Sequence, residues 1–226
     1  MPAVPFLTPS HTDPTMLRRI AGLGALAVVL AAPLRAQAYV YPALQPSRIA
    51  EREYNFALAD VGDGGGTALV FQWREGLGNP KLQFTLDAGF ADPDAAGADT
   101  RLVIGGGLAY QIATATSEMP FDIVLAGGLG FSTGDDVTTV RLPIGAVFGH
   151  RFPLEGGLAI TPFVHPRLSY DRISFNGNSD SDTNLNVDIG ANFEFKPQMA
   201  IRAAAALGDD DAIAISFAWT PKGLRK

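Results

Sequence analysis

The chain has 226 residues, 47% of them hydrophobic and 18% charged, with 25 Gly, 16 Pro and no Cys. Charge below the roughly 25% usual for soluble domains, together with Gly enrichment, points away from an ordinary soluble enzyme. A net charge of −6 without a basic run argues against nucleic-acid binding, and the lack of Cys excludes a disulfide framework, a thiolate metal site and a Cys nucleophile.

The first element is a targeting signal. Leu17-Arg18-Arg19 precede an apolar run from Ile20 to Ala32, followed by Pro33-Leu34-Arg35-Ala36-Gln37-Ala38. A basic region, an apolar stretch of 13 residues and an Ala-x-Ala site predict a secretory signal with cleavage after Ala38. The run is shorter than the roughly 20 residues a helical span needs. Met16 stands immediately before this signal, so residues 1–15 add nothing that a signal requires, and a start at Met16 is the simpler reading. Residues 1–38 are thus read as N-terminal extension and signal peptide, and 39–51 as a short periplasmic lead.

From there the chain alternates with period two. Ten segments are predicted: Arg52–Ala59, Thr67–Glu75, Lys81–Phe90, Arg101–Ile112, Phe121–Phe131, Thr138–Phe152, Leu158–Asp171, Leu185–Phe195, Met199–Leu207 and Ala212–Trp219. In the third, Leu82, Phe84, Leu86, Ala88 and Phe90 alternate with Lys81, Gln83, Thr85, Asp87 and Gly89. Successive side chains of a strand point to opposite faces, so each segment carries one apolar and one polar or small face. The segment lengths suit the roughly 9–11 residues that a tilted strand needs to cross a bilayer. Residues 220–226 are a basic periplasmic tail.

A soluble lipocalin-like binding barrel would turn the apolar face inward, and a membrane barrel turns it to lipid. The apolar face carries 16 of the 21 aromatic residues, too many for a small interior. Tyr54, Trp73, Phe121, Phe152, Phe195 and Trp219 fall at segment ends, where interfacial girdles belong. The expectation is therefore an all-β fold: a closed antiparallel up-and-down transmembrane β-barrel of ten strands, eight being the other possible count. With both termini periplasmic, the longest connections (91–100 and 172–183) fall outside, and the outer loops collect Asp60, Asp63, Asp92, Asp94, Asp99, Asp135, Asp136, Asp180, Asp182, Asp209, Asp210 and Asp211.

An export signal followed by amphipathic β-segments over 52–219 resembles the small Gram-negative outer-membrane β-barrel proteins. The resemblance rests on pattern rather than on signature residues. It implies a bacterial outer-membrane location, contact with outer-membrane lipid and lipopolysaccharide, and delivery by periplasmic chaperones to the barrel-insertion machinery. Ile213, Ile215, Phe217 and Trp219 resemble the aromatic insertion signal of that group, although seven residues follow.

The search for chemistry gives little. Of His11, His150 and His165, the first precedes the signal, the second has lipid-facing parity and the third has lumen parity beside Arg167. The ten-stranded omptin proteases use an Asp pair and an Asp–His pair at the outer rim. Asp92-Pro93-Asp94 matches the first by spacing, but the chain holds no Asp-x-His. No rim His serves a Ser nucleophile of the barrel lipases either. The expectation is a protein that is not an enzyme and has no cofactor. Asp180 and Asp182, with Asp209, Asp210 and Asp211, are weak calcium candidates through hard oxygen ligands.

Charges of lumen parity fall into neighbouring pairs of opposite sign: Glu53 with Arg74, Asp87 with Arg101, Asp122 with Arg151, Arg167 with Asp188, and Glu194 with Arg202. Two functions remain. One is a structural or surface-interaction barrel with a filled polar lumen and acidic extracellular loops. The other is a narrow passive channel for small solutes or ions.

Overall fold

A computed structural model describes residues 44–61, 66–94, 98–134, 137–209 and 211–221. The signal, its cleavage site, the tail from Lys222 and the loop residues Asp63, Asp135, Asp136 and Asp210 lie outside the described residues.

Strict period-two patterning gives strands with one wettable face, and here they bury that face together by closing on one another. The strands are β1 (Arg52–Val61), β2 (Gly66–Gly76), β3 (Leu82–Asp92), β4 (Arg101–Ala113), β5 (Asp122–Gly134), β6 (Val137–Gly149), the two-residue β7 (Phe152–Pro153), β8 (Ala159–Phe175), β9 (Asn178–Lys196), β10 (Met199–Gly208) and β11 (Ala212–Trp219). Neighbours pair in sequence order, β6 pairs with β8 around the short β7, and β1 pairs with β11. All pairings are antiparallel, so the ten long strands form a closed up-and-down barrel without free side edges along its wall.

The faces divide as parity predicts. Along β1, Glu53, Asn55, Ala57 and Ala59 are buried while Phe56 and Leu58 are exposed. Along β8 the outward row is Pro162, Val164, Pro166, Leu168 and Tyr170, and the inward row is Thr161, Phe163, His165, Arg167, Ser169 and Asp171. Leu69 is 59% exposed and Ile144 is 56% exposed at mid-strand. An apolar belt of this kind around a closed barrel, with polar groups inside, is the arrangement of a transmembrane barrel. It inverts what a soluble lipocalin-like barrel requires.

Two strand boundaries differ from the sequence reading for clear reasons. The connection 172–183 is not a long loop: β8 and β9 continue to a two-residue turn at Asn176-Gly177, with Phe175 opposite Asn178. Both turn residues have positive φ (48° and 80°), which an Asn-Gly pair accepts and which the right-handed twist of a hairpin requires. The sixth segment ends at Gly149, because the chain leaves the ladder at His150 and Arg151 before the short β7. The ladders also lose two rungs beside Pro143 in β5–β6 and two beside Pro166 in β6–β8, where proline lacks the N–H that would bridge them.

Candidate functional site

Among the described residues, the lumen is rich in placed polar groups, and parity brings them there from the surrounding strands. Nearest the end that holds the first and last strands' termini, Glu53 of β1 lies between two arginines. Arg74 of β2 donates from Nη1 to Glu53 Oε1 at 2.5 Å, and Arg202 of β10 donates to both carboxylate oxygens at 2.8 and 2.5 Å. Arg202 spans β11 because that strand's inner residues, Ala214, Ser216 and Ala218, are small. Its Nε donates to Asn192 Oδ1 at 2.9 Å, while Gln72 accepts from both Arg74 and Asn55.

Deeper along β8 and β9, His165 is the direct cross-strand partner of Asp188, with Nδ1 3.0 Å from Oδ2. Arg167, opposite Asn186, reaches diagonally so that its Nε donates to the same oxygen at 2.9 Å. Further toward the loop end, Arg141 forks onto Asp171 at 2.8 and 3.0 Å, and Ser169 and Asn184 donate to the same carboxylate. Each of these carboxylates is nearly or fully buried, and each faces at least one cation.

Some sequence-derived pairs have other partners. Asp122 does not meet Arg151: it lies 3.3 Å from Arg48 and accepts from the amide of Ala115, because Arg151 sits beyond the end of β6. Arg151 instead donates to Glu194 at 2.7 Å, a contact that holds its guanidinium above its ordinary value. Glu194 and Arg202 are separated by one rung, since Glu194 stands opposite Ala200 after a register shift and Arg202 stands opposite Asn192. Asp87 and Arg101, both buried on inner faces, lie within a few rungs of each other on the β3–β4 ladder as expected, Asp87 opposite Gly105 and Arg101 opposite Ala91. The pair Arg141–Asp171 was legible by parity but not by register. It crosses from β6 to β8 over the irregular segment 150–158, where counting back from a turn fails.

The six candidate girdle residues all lie at one end of the barrel, the end where β1 begins and β11 finishes. Tyr54 stacks on Trp219 with ring centroids 5.6 Å apart, and Trp73 meets Phe84 edge-on at 5.4 Å. Phe195 lies 6.4 Å from Phe217, and Phe152 packs against the ring of His150, whose Nδ1 is in contact with the Pro120 carbonyl. Phe121 is exposed beside the start of β5. Arg52, paired with Glu75, completes this rim, and Trp73 Nε1 donates to Glu75. Exposed Phe90, Phe131 and Tyr170 occupy the other end, which the candidate set omitted.

Among the calcium candidates, Asp180 and Asp182 each accept from the following backbone amide, and Asp209 accepts from the amide of Leu185. Among the described residues no three His, Asp or Glu side chains are grouped for a metal ion. Nor does any hydroxyl bond to His165, whose Nε2 has no hydrogen-bond partner and sits over Gly145.

The feature that sequence reasoning missed is the lead. Expected outside the barrel, residues 44–50 instead run into the lumen. Leu44, Gln45 and Ser47 are at most 1% exposed. Arg74 Nη2 donates to the Leu44 carbonyl at 3.1 Å, Gln111 Nε2 to that of Ser47 at 3.1 Å, and Gln83 Nε2 to that of Ala50 at 2.7 Å. Gln111 Oε1 accepts from the Ile49 amide in return. Leu44 joins an apolar cluster of inward Ala57, Val70, Val103, Val124 and Val147. Gly149 makes room: a Cβ there would lie 2.4 Å from Ser47 Oγ. Below the lead, a vestibule of about 1150 Å³ opens at the terminal end, bordered by Arg48, Glu51, Glu53, Arg151, Phe163 and Arg202 among others.

No protein-family model matches the chain, and no curated protein matches it. Solved structures that it resembles include the beta domain of the Bordetella autotransporter Brka, at 13% identity over 75% of this chain and 98% of that one, TM-score 0.43. LpxR from Salmonella typhimurium aligns at 10% identity over 89% of this chain and 96% of that one, TM-score 0.44. The KdgM porin aligns at 6% identity over 75% and 99%, TM-score 0.40. Likenesses this distant transfer no activity to this chain.

Proposed function

We propose that this chain is a non-enzymatic bacterial outer-membrane barrel with a structural or surface-interaction role, closed to solutes in its resting state. The observation that carries this reading is the seating of Leu44 among inward Ala and Val side chains, directly beside the Glu53–Arg74–Arg202 cluster. A charged layer capped by an apolar one leaves little continuous water path, and apolar constrictions block ions by dewetting. The end away from the termini carries Asp60, Asp92, Asp94, Asp180, Asp182, Asp209 and Asp211. With the terminal end periplasmic, this acidic rim is the part offered to the outside, and contact with lipopolysaccharide is the interaction it suits through bridging cations. Chaperone-assisted delivery and insertion, with Trp219 ending the last strand, belong to the same reading.

The vestibule favours a second reading, a narrow passive channel for small solutes or ions. Planar-bilayer recording of the refolded protein tests the pair. A silent barrel that is heat-modifiable in detergent supports the closed reading; a steady open conductance in the unmodified protein replaces it with the channel.

A further inference from the structure

The segment 44–50 lies within the barrel but pairs with none of its strands. We propose that it is a displaceable plug: withdrawal of this strap through the vestibule opens an ion-permeable path, and the closed barrel is the strap-in state. The proposal rests on the reading of a closed resting barrel given above.

Several features carry it. The strap is held by side chains, Arg74, Gln83 and Gln111, on its backbone and by the half-exposed Arg48 beside Asp122, all interactions that water can replace on withdrawal. Its own Gln45 Oε1 and Ser47 Oγ are buried without a hydrogen-bond partner, which penalises the strap-in state and leaves it less secure than a wall strand. Leu44 is the strap's apolar anchor: its cluster is mostly inward Ala and Val, with Phe163 beside them, so departure of the strap leaves a lining of mostly small groups. Finally, the exit is already open, because the vestibule borders Pro46 to Glu51 and leads to the terminal end, where Gly149 puts no side chain in the way.

The absence of native Cys permits a direct test with the full chain. An ideal Cβ at position 149 lies 2.7 Å from that of Ser47, and a small shift of the strap brings the pair to the roughly 3.5–4.5 Å of a disulfide. Ser47→Cys with Gly149→Cys is recorded in planar bilayers oxidised and reduced, alone and combined with Leu44→Ser or with Gln83→Ala and Gln111→Ala. Heat-modifiable mobility confirms that each variant is folded. The expected result is a silent unmodified barrel, resolvable openings in the Leu44→Ser and double-glutamine variants, loss of those openings on oxidation, and their return on reduction. Silence of both variants, while a maleimide labels Leu44→Cys in the double-glutamine background to show the strap released, overturns the plug. So does conductance that oxidation leaves unchanged in those variants, or failure of the disulfide to form in a folded barrel. Conductance of the otherwise unmodified barrel with the strap locked by the disulfide overturns instead the closed reading on which the plug rests.

Discussion

The backbone amide of Leu185 donates to Asp209 Oδ2 at 2.8 Å, across the point where β10 has just ended beside β9. Two and four residues earlier on the same edge of β9, the amides of Thr183 and Ser181 donate to Asp182 and Asp180. The upper part of β9 has β8 on one side only, since its ladder with β10 stops at Asn186 opposite Gly208. Three aspartates therefore occupy three successive amides of an exposed edge, which would otherwise be a template for another strand.

The first prediction follows from that edge. Asp180→Ala, Asp182→Ala and Asp209→Ala together free these amides at a cost of about 0.5–1.5 kcal/mol for each lost bond at most, because water replaces the partner. Global stability should change little. Amide hydrogen exchange at Ser181, Thr183 and Leu185 should accelerate, and the triple variant should self-associate in detergent more than the starting protein. Unchanged exchange at these three amides would show that the carboxylates do not guard the edge.

The second concerns the faces. Leu86→Arg and Ile189→Arg place a cation on the lipid side at positions half exposed at mid-strand, where the cost is about 2–4 kcal/mol at the bilayer midplane. Asp87→Asn and Asp188→Asn, on the adjacent inward positions, should insert into vesicles as the unmodified chain does. Equal tolerance of both sets in a folding titration would mean that the apolar belt does not face lipid.

Parity made this division readable in advance, because a period of two survives any error at the strand ends. Register was less readable. Glu53 opposite Arg74 follows from counting back along a short hairpin, whereas Arg202 reaches Glu53 across a third strand whose small inner side chains give no sign of it. The β8–β9 extension was legible in principle from Asn176-Gly177, the strongest short hairpin signal, but the polar run 176–184 hides the alternation that would have carried strands up to it. The lead could not be read at all. Residues 44–50 have no periodicity, and only the inward crowding of Gly, Ala and Val shows that space was left for them.

The third prediction tests the shared carboxylate. Glu53→Ala leaves Arg74 and Arg202 buried with no common anion, and breaking such an arrangement costs about 3–5 kcal/mol. Arg202→Met should cost less, since Glu53 keeps Arg74. Urea unfolding of the refolded barrel measures both. If Arg202→Met proves as damaging as Glu53→Ala, the two arginines do not share the carboxylate.

The fourth treats Arg167 and Asp188 as a cycle. Asp188→Ala strands Arg167 near His165, and Arg167→Ala leaves Asp188 with the imidazole alone. Coupled neighbours show interaction energies of about 0.5–3 kcal/mol, so the double variant should recover part of the summed loss. Strict additivity in the unfolding free energies would deny the contact any energetic role.

The last prediction isolates packing from charge at the same layer. A Cβ at Gly145 would lie 2.6 Å from His165 Nε2, 2.6 Å from the Pro166 carbonyl and 2.7 Å from Arg167 Cβ. Real Cβ atoms do not approach so closely, so Gly145→Ala must displace His165, Arg167 and the β8 backbone at Pro166, which lie between it and Asp188 of β9. Overpacking of this kind costs about 1–3 kcal/mol. A matched control is Gly156→Ala, where a Cβ would meet nothing within 4 Å but the backbone has φ +72°. There the loss comes from conformation alone, of order 1 kcal/mol. Adding His165→Ala to Gly145→Ala removes one of the obstructing groups and should recover stability relative to Gly145→Ala, whereas His165→Ala should do nothing for Gly156→Ala. Thermal unfolding of the five proteins, including the parent, decides the matter. A Gly145→Ala barrel as stable as the parent would mean that His165 does not rest against β6, and the inner layer built on Asp188 would have to be redrawn.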